Sequence, residues 1–219
     1  MKTEQILNRI ERRFRKYFIP GLMTYVIFGM VIVFLMDAII CPMMGKEPLS
    51  PYISFNRELI MHGQIWRLVS FVFEPVTYSP FFFIFAMYFY WMIGDVLENN
   101  WGSFRFNLYF FTSLLGAIIA GFITGTADNY YMMLTMFLAF AVIAPDMPIL
   151  LFFFIPVKIK YLAYVDAALI LFSFIFSGFS GKIAILLSVI NFLLFFGEAF
   201  MVRAKMIINH WKFKMKNRR

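Results

Sequence analysis

Long apolar runs separated by short polar breaks organise this chain. Six runs can be placed by length and by Gly and Pro punctuation, at roughly 20–40, 75–95, 106–126, 130–145, 160–178 and 183–203. A helix needs about 20 apolar residues to cross the hydrocarbon layer of a bilayer. The fourth run is the exception. Pro145 and Pro148 divide a longer stretch, 131–157, into a short helix and the segment ILLFFFIPV. Proline removes a backbone donor and clashes with the preceding turn, so one straight helix through both is not expected. A helix of about 16 residues rises only about 24 Å, which suits the centre of a bundle, where protein meets its ends.

The first residues follow a different rule. In QILNRIERRFRKYF, Ile6, Ile10, Phe14 and Phe18 recur at i+4 steps with Arg and Lys between them. That pattern predicts an amphipathic helix in the cytoplasmic interface. The expected organisation is an amphipathic helix over 1–19, a membrane domain over 20–203 and a basic cytoplasmic tail over 204–219. The fold class is an all-α membrane protein, a bundle of six transmembrane helices.

Composition and charge agree with this and add an orientation. The chain is 62% hydrophobic and 21% aromatic, with 31 Phe and only 15% charged residues. A soluble domain of 219 residues could not cover so much apolar surface. Cys41 is the sole cysteine, so an intrachain disulfide is excluded. A cleavable signal peptide is not expected, because the first run is too long and no small-residue cleavage site follows it. Six spans place all but Lys46, Arg57, Arg67 and Lys182 of the 20 basic residues on one side. The positive-inside rule makes that side, with both termini, cytoplasmic. The net charge of +8 therefore points to topology and to membrane lipids as partners, not to nucleic acid. Bias toward Phe, Ile, Lys and Met suggests a low-GC bacterium and its cytoplasmic membrane.

Three polar stretches stand out in order. GQIWRLVSF closes the long, mostly uncharged loop at about 41–70; IGDVLENNWGSFRFNLYFF follows the second run; APDMPILLFFFIPVKIKYLA, 144–163, follows the fourth. Trp66 is an interface residue by type, and Arg67 can bond loop carbonyls while its stem lies on apolar surface. Glu98 at the end of the second span and Arg105 at the start of the third can pair and fix the hairpin. Gly102 permits a backbone conformation that bulkier residues resist.

The order loop, Trp-Arg, helix, then Gly-Asp-x-x-Glu…Gly-Ser-x-Arg-Phe resembles the rhomboid superfamily of intramembrane serine proteases and their inactive relatives, such as the derlins. The match covers about 63–163. It implies a rhomboid-like six-helix bundle, with Trp66, Arg67, Gly94, Glu98, Gly102 and Arg105 as structural signature. It also implies that the Trp-Arg loop dips into the outer leaflet.

The protease chemistry that the resemblance implies can be sought residue by residue. A Gly-x-Ser-Gly turn should fall near DNYY, 128–131, which holds neither Ser nor Gly. The oxyanion His and Asn fall near Phe82 and Ala86, whose side chains donate no hydrogen bond. The base would lie near SVINFLL, which offers Ser188 and Asn191 but no imidazole. Both histidines, His62 and His210, lie outside the predicted spans, so a Ser–His dyad cannot form within them. A base at His62 would need a nucleophile such as Ser70 or Ser79. A zinc protease lacks its His-Glu-x-x-His motif. No catalytic residue, metal site or cofactor is expected.

Asp166, Asn191 and Glu198 are candidate intramembrane polar contacts. Asp166 lies six residues past Lys160, about 9 Å deep, and Glu198 five before Arg203, so both acids can titrate or snorkel near the cytoplasmic interface. If the fifth and sixth helices are neighbours, the two acids can face each other. Asn191 is expected to donate a hydrogen bond between helices. Glu74, before Pro75, marks the entry to the second span, and Asp37 is expected at the interface. In the sixth span, bulky Leu and Phe with Ala184 and Ser188 as the small i+4 pair predict looser packing on the fourth.

The functional expectation is a catalytically inactive rhomboid-like protein that binds transmembrane segments of client proteins, in membrane-protein quality control or trafficking. The alternatives are an intramembrane serine protease with a noncanonical site and a structural subunit of a membrane complex. A transporter is disfavoured, since no internal repeat is visible and the spans carry few polar positions. Oligomeric state is not specified by the sequence.

Overall fold

The computed structural model describes residues 18–151 and 155–216, with side chains as far as Gly197 except that of Leu151. It is a mostly helical membrane protein. The predicted amphipathic helix lies outside the described residues but for its last positions, where Phe18 meets Phe104 edge-on at 4.5 Å.

Among the described residues, five helices are long and apolar enough to cross a membrane. These are α1 (Leu22–Met43, with a π turn at Met36–Ile40), α5 (Pro80–Trp101), α6 (Ser103–Thr124), α8 (Ile159–Phe176) and α9 (Phe179–Lys216, its apolar part Phe179–Gly197). The loop after α1 carries three short helices, α2 (Ser50–Ile53), α3 (Arg57–Met61) and α4 (Arg67–Ser70). The fourth apolar helix, α7 (Tyr130–Ile143), has 14 residues and rises about 21 Å, less than the hydrocarbon thickness of about 30 Å. It is the buried helix of the group, with Met132, Met136, Ala139 and Phe140 nearly sealed from solvent. Protein, then, surrounds the helix that is too short.

Three boundaries differ from expectation. The polar-looking stretch 93–101 is helical to its end, because Ile93, Leu97 and Trp101 recur at i+4 and turn inward while Asp95, Asn99 and Asn100 face out. The turn reduces to Gly102, with φ 81°, and α6 starts at once. After α7, the proline-punctuated segment forms an antiparallel hairpin of β1 (Pro148–Leu151) and β2 (Ile155–Lys158), registering Ile149 with Val157. Prolines survive there because each strand has a free edge. Lastly, α9 continues through the basic stretch to Lys216, so the expected tail carries on the last helix.

Gly94 explains how α1 meets α5. A Cβ built there would lie 2.4 Å from the Met23 Cβ, closer than any real contact, so only glycine lets the two helices approach this far. At the other end Phe34 stacks on Phe83 at 4.0 Å. The helix α6 packs on α9, and α7 is packed against α5, α8 and α9.

Candidate functional site

The predicted signature residues separate into two polar constructions at opposite ends of the bundle. One, the clip end, holds the α5–α6 turn and the start of α1. The other, the loop end, holds residues 44–79 and the 125–129 connection.

At the clip end the Glu98 carboxylate accepts the Gly21 N–H at 2.9 and 3.0 Å and the Ser103 hydroxyl. Its donors include the chain entering α1 and the first residue of α6, so the clip ties three helices. Arg105 is half-buried in the first turn of α6. Asn107 completes the arrangement. Its amide donates to the Ile19 carbonyl at 3.0 Å and the Ser103 carbonyl at 2.8 Å, and its oxygen accepts the Ile19 N–H at 3.1 Å. A shallow cleft of about 350 Å³ lies alongside, lined by Asp95, Glu98, Asn99 and Ser103.

At the loop end Arg67 is buried, with 3% of its surface exposed. Its guanidinium donates to the Pro51 carbonyl at 2.8 Å, the Ser54 carbonyl at 2.7 Å and Gln64 Oε1 at 2.7 Å. Ser70 donates to the Ile53 carbonyl at 2.7 Å, and the exposed Trp66 donates through Nε1 to the Tyr52 carbonyl at 3.1 Å. Four carbonyls of the 51–54 segment, which the short α2 helix leaves without helical donors, are thus taken by side chains of α4 and its N-cap. Asp37 anchors the start of the same loop, accepting from the Leu49 and Ser50 amides, the Ser50 hydroxyl and Tyr78. It is buried under the loop, where these donors satisfy it.

The positions expected to carry protease chemistry hold other bonds. Asn129, in the DNYY segment, is buried and donates to the Val72 and Glu74 carbonyls at 3.0 Å each. Phe82 is exposed. Nδ1 of His62 bonds the Glu58 carbonyl at 2.7 Å. Among the described residues, no three His, Cys, Asp or Glu converge.

Asn191 donates to the Tyr109 carbonyl at 3.2 Å, linking α9 to α6 as predicted. Of the two behaviours expected of Asp166, titrating or snorkelling, its burial speaks against the second. It is 5% exposed, and neither carboxylate oxygen has a hydrogen-bond partner among the described residues, so it does not snorkel. The reason is its face: Asp166 shares the buried side of α8 with Ile159 and Ile170, while Tyr164, Val165 and Leu169 take the exposed one. Glu198 lies on α9, and its side chain is outside the described residues, as is that of His210.

A second cleft, of about 420 Å³, opens at the loop end between α6, α7 and α9. Ala184 and Ser188, the small pair of α9, line it with Tyr131, Glu74 and Asp128. Burial, then the negative charges of Asp128 and Asp37, push the Glu74 carboxyl above its usual range.

Sequence reasoning missed Asn107 and the structural role of Asn129. A lone amide inside FRFNLYFF was the available signal, since an unpaired polar group inside a span is expensive. Compared with known proteins, the sequence matches no family model, and no curated protein resembles it closely enough to count as a relative.

Proposed function

We propose that this protein is a rhomboid-like membrane protein without protease activity that binds transmembrane segments of other proteins. In this proposal all six apolar helices form the bundle, both termini are cytoplasmic and the loop end faces outward. The observation that carries the reading is the pair of constructions around the signature residues. The Trp66–Arg67 staple holds the long loop on one end, and Glu98 with Gly102 and Ser103 clips the other.

A central helix of about 21 Å beside longer ones favours local thinning of the bilayer. A weakly apolar client helix finds protein partners there that lipid does not provide. Asp166, buried with no hydrogen-bond partner among the described residues, is a polar group of the kind such a client could satisfy after helix rearrangement. Catalytic inactivity rests on the sequence, where DNYY, 128–131, holds neither Ser nor Gly and the oxyanion positions carry Phe82 and Ala86.

The test uses protein reconstituted in lipid and shown to be folded. A fluorophosphonate serine probe and a permissive transmembrane substrate are offered beside an active rhomboid. Silence in both assays, with photo-crosslinking of a marginally hydrophobic helix, is the expected result. Labelling or cleavage refutes inactivity, and failure to crosslink any such helix refutes client binding.

A further inference from the structure

The loop-end cleft has a chemistry that packing alone does not require. Two carboxylates reach it, Glu74 and Asp128, and neither has an ion pair among the described residues. The charged groups acting on Glu74 are Asp128 and Asp37, both negative. Arg57, in the same loop, turns its guanidinium to the Phe122 carbonyl at 3.1 Å. Deeper in the cleft stands Ser188, 6% exposed, with no hydrogen-bond partner among the described residues. A helical serine commonly satisfies its hydroxyl on the preceding turn. Ser188 leaves that option unused and lines an opening.

We propose that this cleft binds a protonated primary amine, with Glu74 and Asp128 as counter-charges and the Ser188 hydroxyl as acceptor for an N–H. Size argues against a bare ion. The cleft holds about 420 Å³, within the span of small-molecule sites, roughly 300–1,000 Å³. Calcium takes 6–8 oxygen ligands, whereas two carboxylates come together here. The walls at Ala117, Ala120 and Ala184 are apolar and small, suited to an alkyl arm behind the ammonium group. Charged hydrogen bonds supply the attraction, and burial beside the bundle reduces screening.

A primary ammonium has two sources, a free alkylamine or a lysine side chain on a membrane segment. The second rests on the client-binding reading above, and the experiment keeps the two apart. The full chain in nanodiscs is titrated with butylammonium, followed by saturation-transfer NMR against empty nanodiscs. Butanol, without charge, and tetramethylammonium, without N–H, are the controls. Butylammonium is expected to bind in preference to both. Glu74→Gln and Asp128→Asn should each weaken it about tenfold, and Ser188→Ala several-fold, with unfolding temperatures checked in parallel. Ala184→Leu, which fills the cleft without removing a charge, should abolish binding. A helical peptide with lysine at its loop-end terminus is then offered as competitor, beside its norleucine twin. Competition by the lysine peptide alone assigns the site to a client; no competition assigns it to a free amine. Client crosslinking that persists in the Glu74→Gln, Asp128→Asn double variant leaves the general function standing without this site. Butylammonium binding no better than butanol, or binding unchanged in folded Glu74→Gln and Ala184→Leu, overturns the proposal.

Discussion

Replacing Arg67 with Met should release the loop at one end of the bundle while leaving the helices assembled. Methionine keeps an apolar stem of similar reach and removes every donor. The guanidinium holds two backbone carbonyls, of Pro51 and Ser54, and Gln64 at 2.7–2.8 Å. A hydrogen bond to a charged group contributes about 1.5–3 kcal/mol net, and a buried carbonyl left without a donor costs about 1–3 kcal/mol. Two such carbonyls set a gross loss of about 5 kcal/mol. Against it stands relief from burying a cation that has no carboxylate beside it among the described residues. A net change of about 3 kcal/mol follows, on the order of a hundredfold in the equilibrium for opening the loop. Hydrogen exchange reads that equilibrium directly. The amides of Arg57, bonded to the Gly125 carbonyl, and Leu59, bonded to Asn56 Oδ1, should exchange about a hundredfold faster, while amides of α6 keep their protection. Arg67→Lys, a point charge without the fork, should fall between the two. Exchange at Arg57 and Leu59 within threefold of the parent would refute the staple.

Three further outcomes test the packing and the charges. Gly94→Ala should destabilise by about 1–3 kcal/mol in thermal unfolding; Met23→Ala should not rescue it, and Met23→Gly should, because the clash is with the Met23 Cβ itself. Asn107→Leu, which removes the acceptor and both donations, should free Ile19 and speed proteolysis just before Leu22, at a cost of about 1–3 kcal/mol. Glu74 binds its proton more tightly in the folded state than in the unfolded chain, so stability should fall as pH rises from about 4.3, the ordinary glutamate value, through the raised folded one; Glu74→Gln should flatten that slope in unfolding measured against pH.

The apolar runs and the proline break at 145–148 were legible in sequence because lipid-facing length is a direct consequence of composition. Arg67 as a loop-carbonyl donor was legible too, since a buried guanidinium has little else to bond. The partner of Glu98 was not. Gly21 lies 77 positions away, and only the α1–α5 approach at Gly94 brings its amide within reach of the carboxylate. The hairpin over 148–158 was hidden for a related reason, as a short apolar run reads equally as helix or buried strand. Asp166 shows the limit of depth arguments. Distance along a helix gave its level in the bilayer, whereas its buried orientation came from which face of α8 the neighbouring helices cover.

The two ends of the bundle are closed by opposite means, and the difference follows from which backbone groups each end leaves over. Chain entering a helix presents unpaired N–H groups, so a carboxylate is the group that satisfies it, and Glu98 takes Gly21 there. A loop of single-turn helices presents unpaired carbonyls instead, so a multi-donor cation fits, and Arg67 takes Pro51 and Ser54. Swapping the two charges would leave both ends with like facing like. Neither residue needs a counter-ion for this work, which lets each be buried or half-buried at a lower cost than an isolated charge. The short α7 is tied to the loop end. Asn129 makes the connection explicit at its N-terminus, where one amide holds the carbonyls of Val72 and Glu74 and so fastens the loop to the helix that most needs cover.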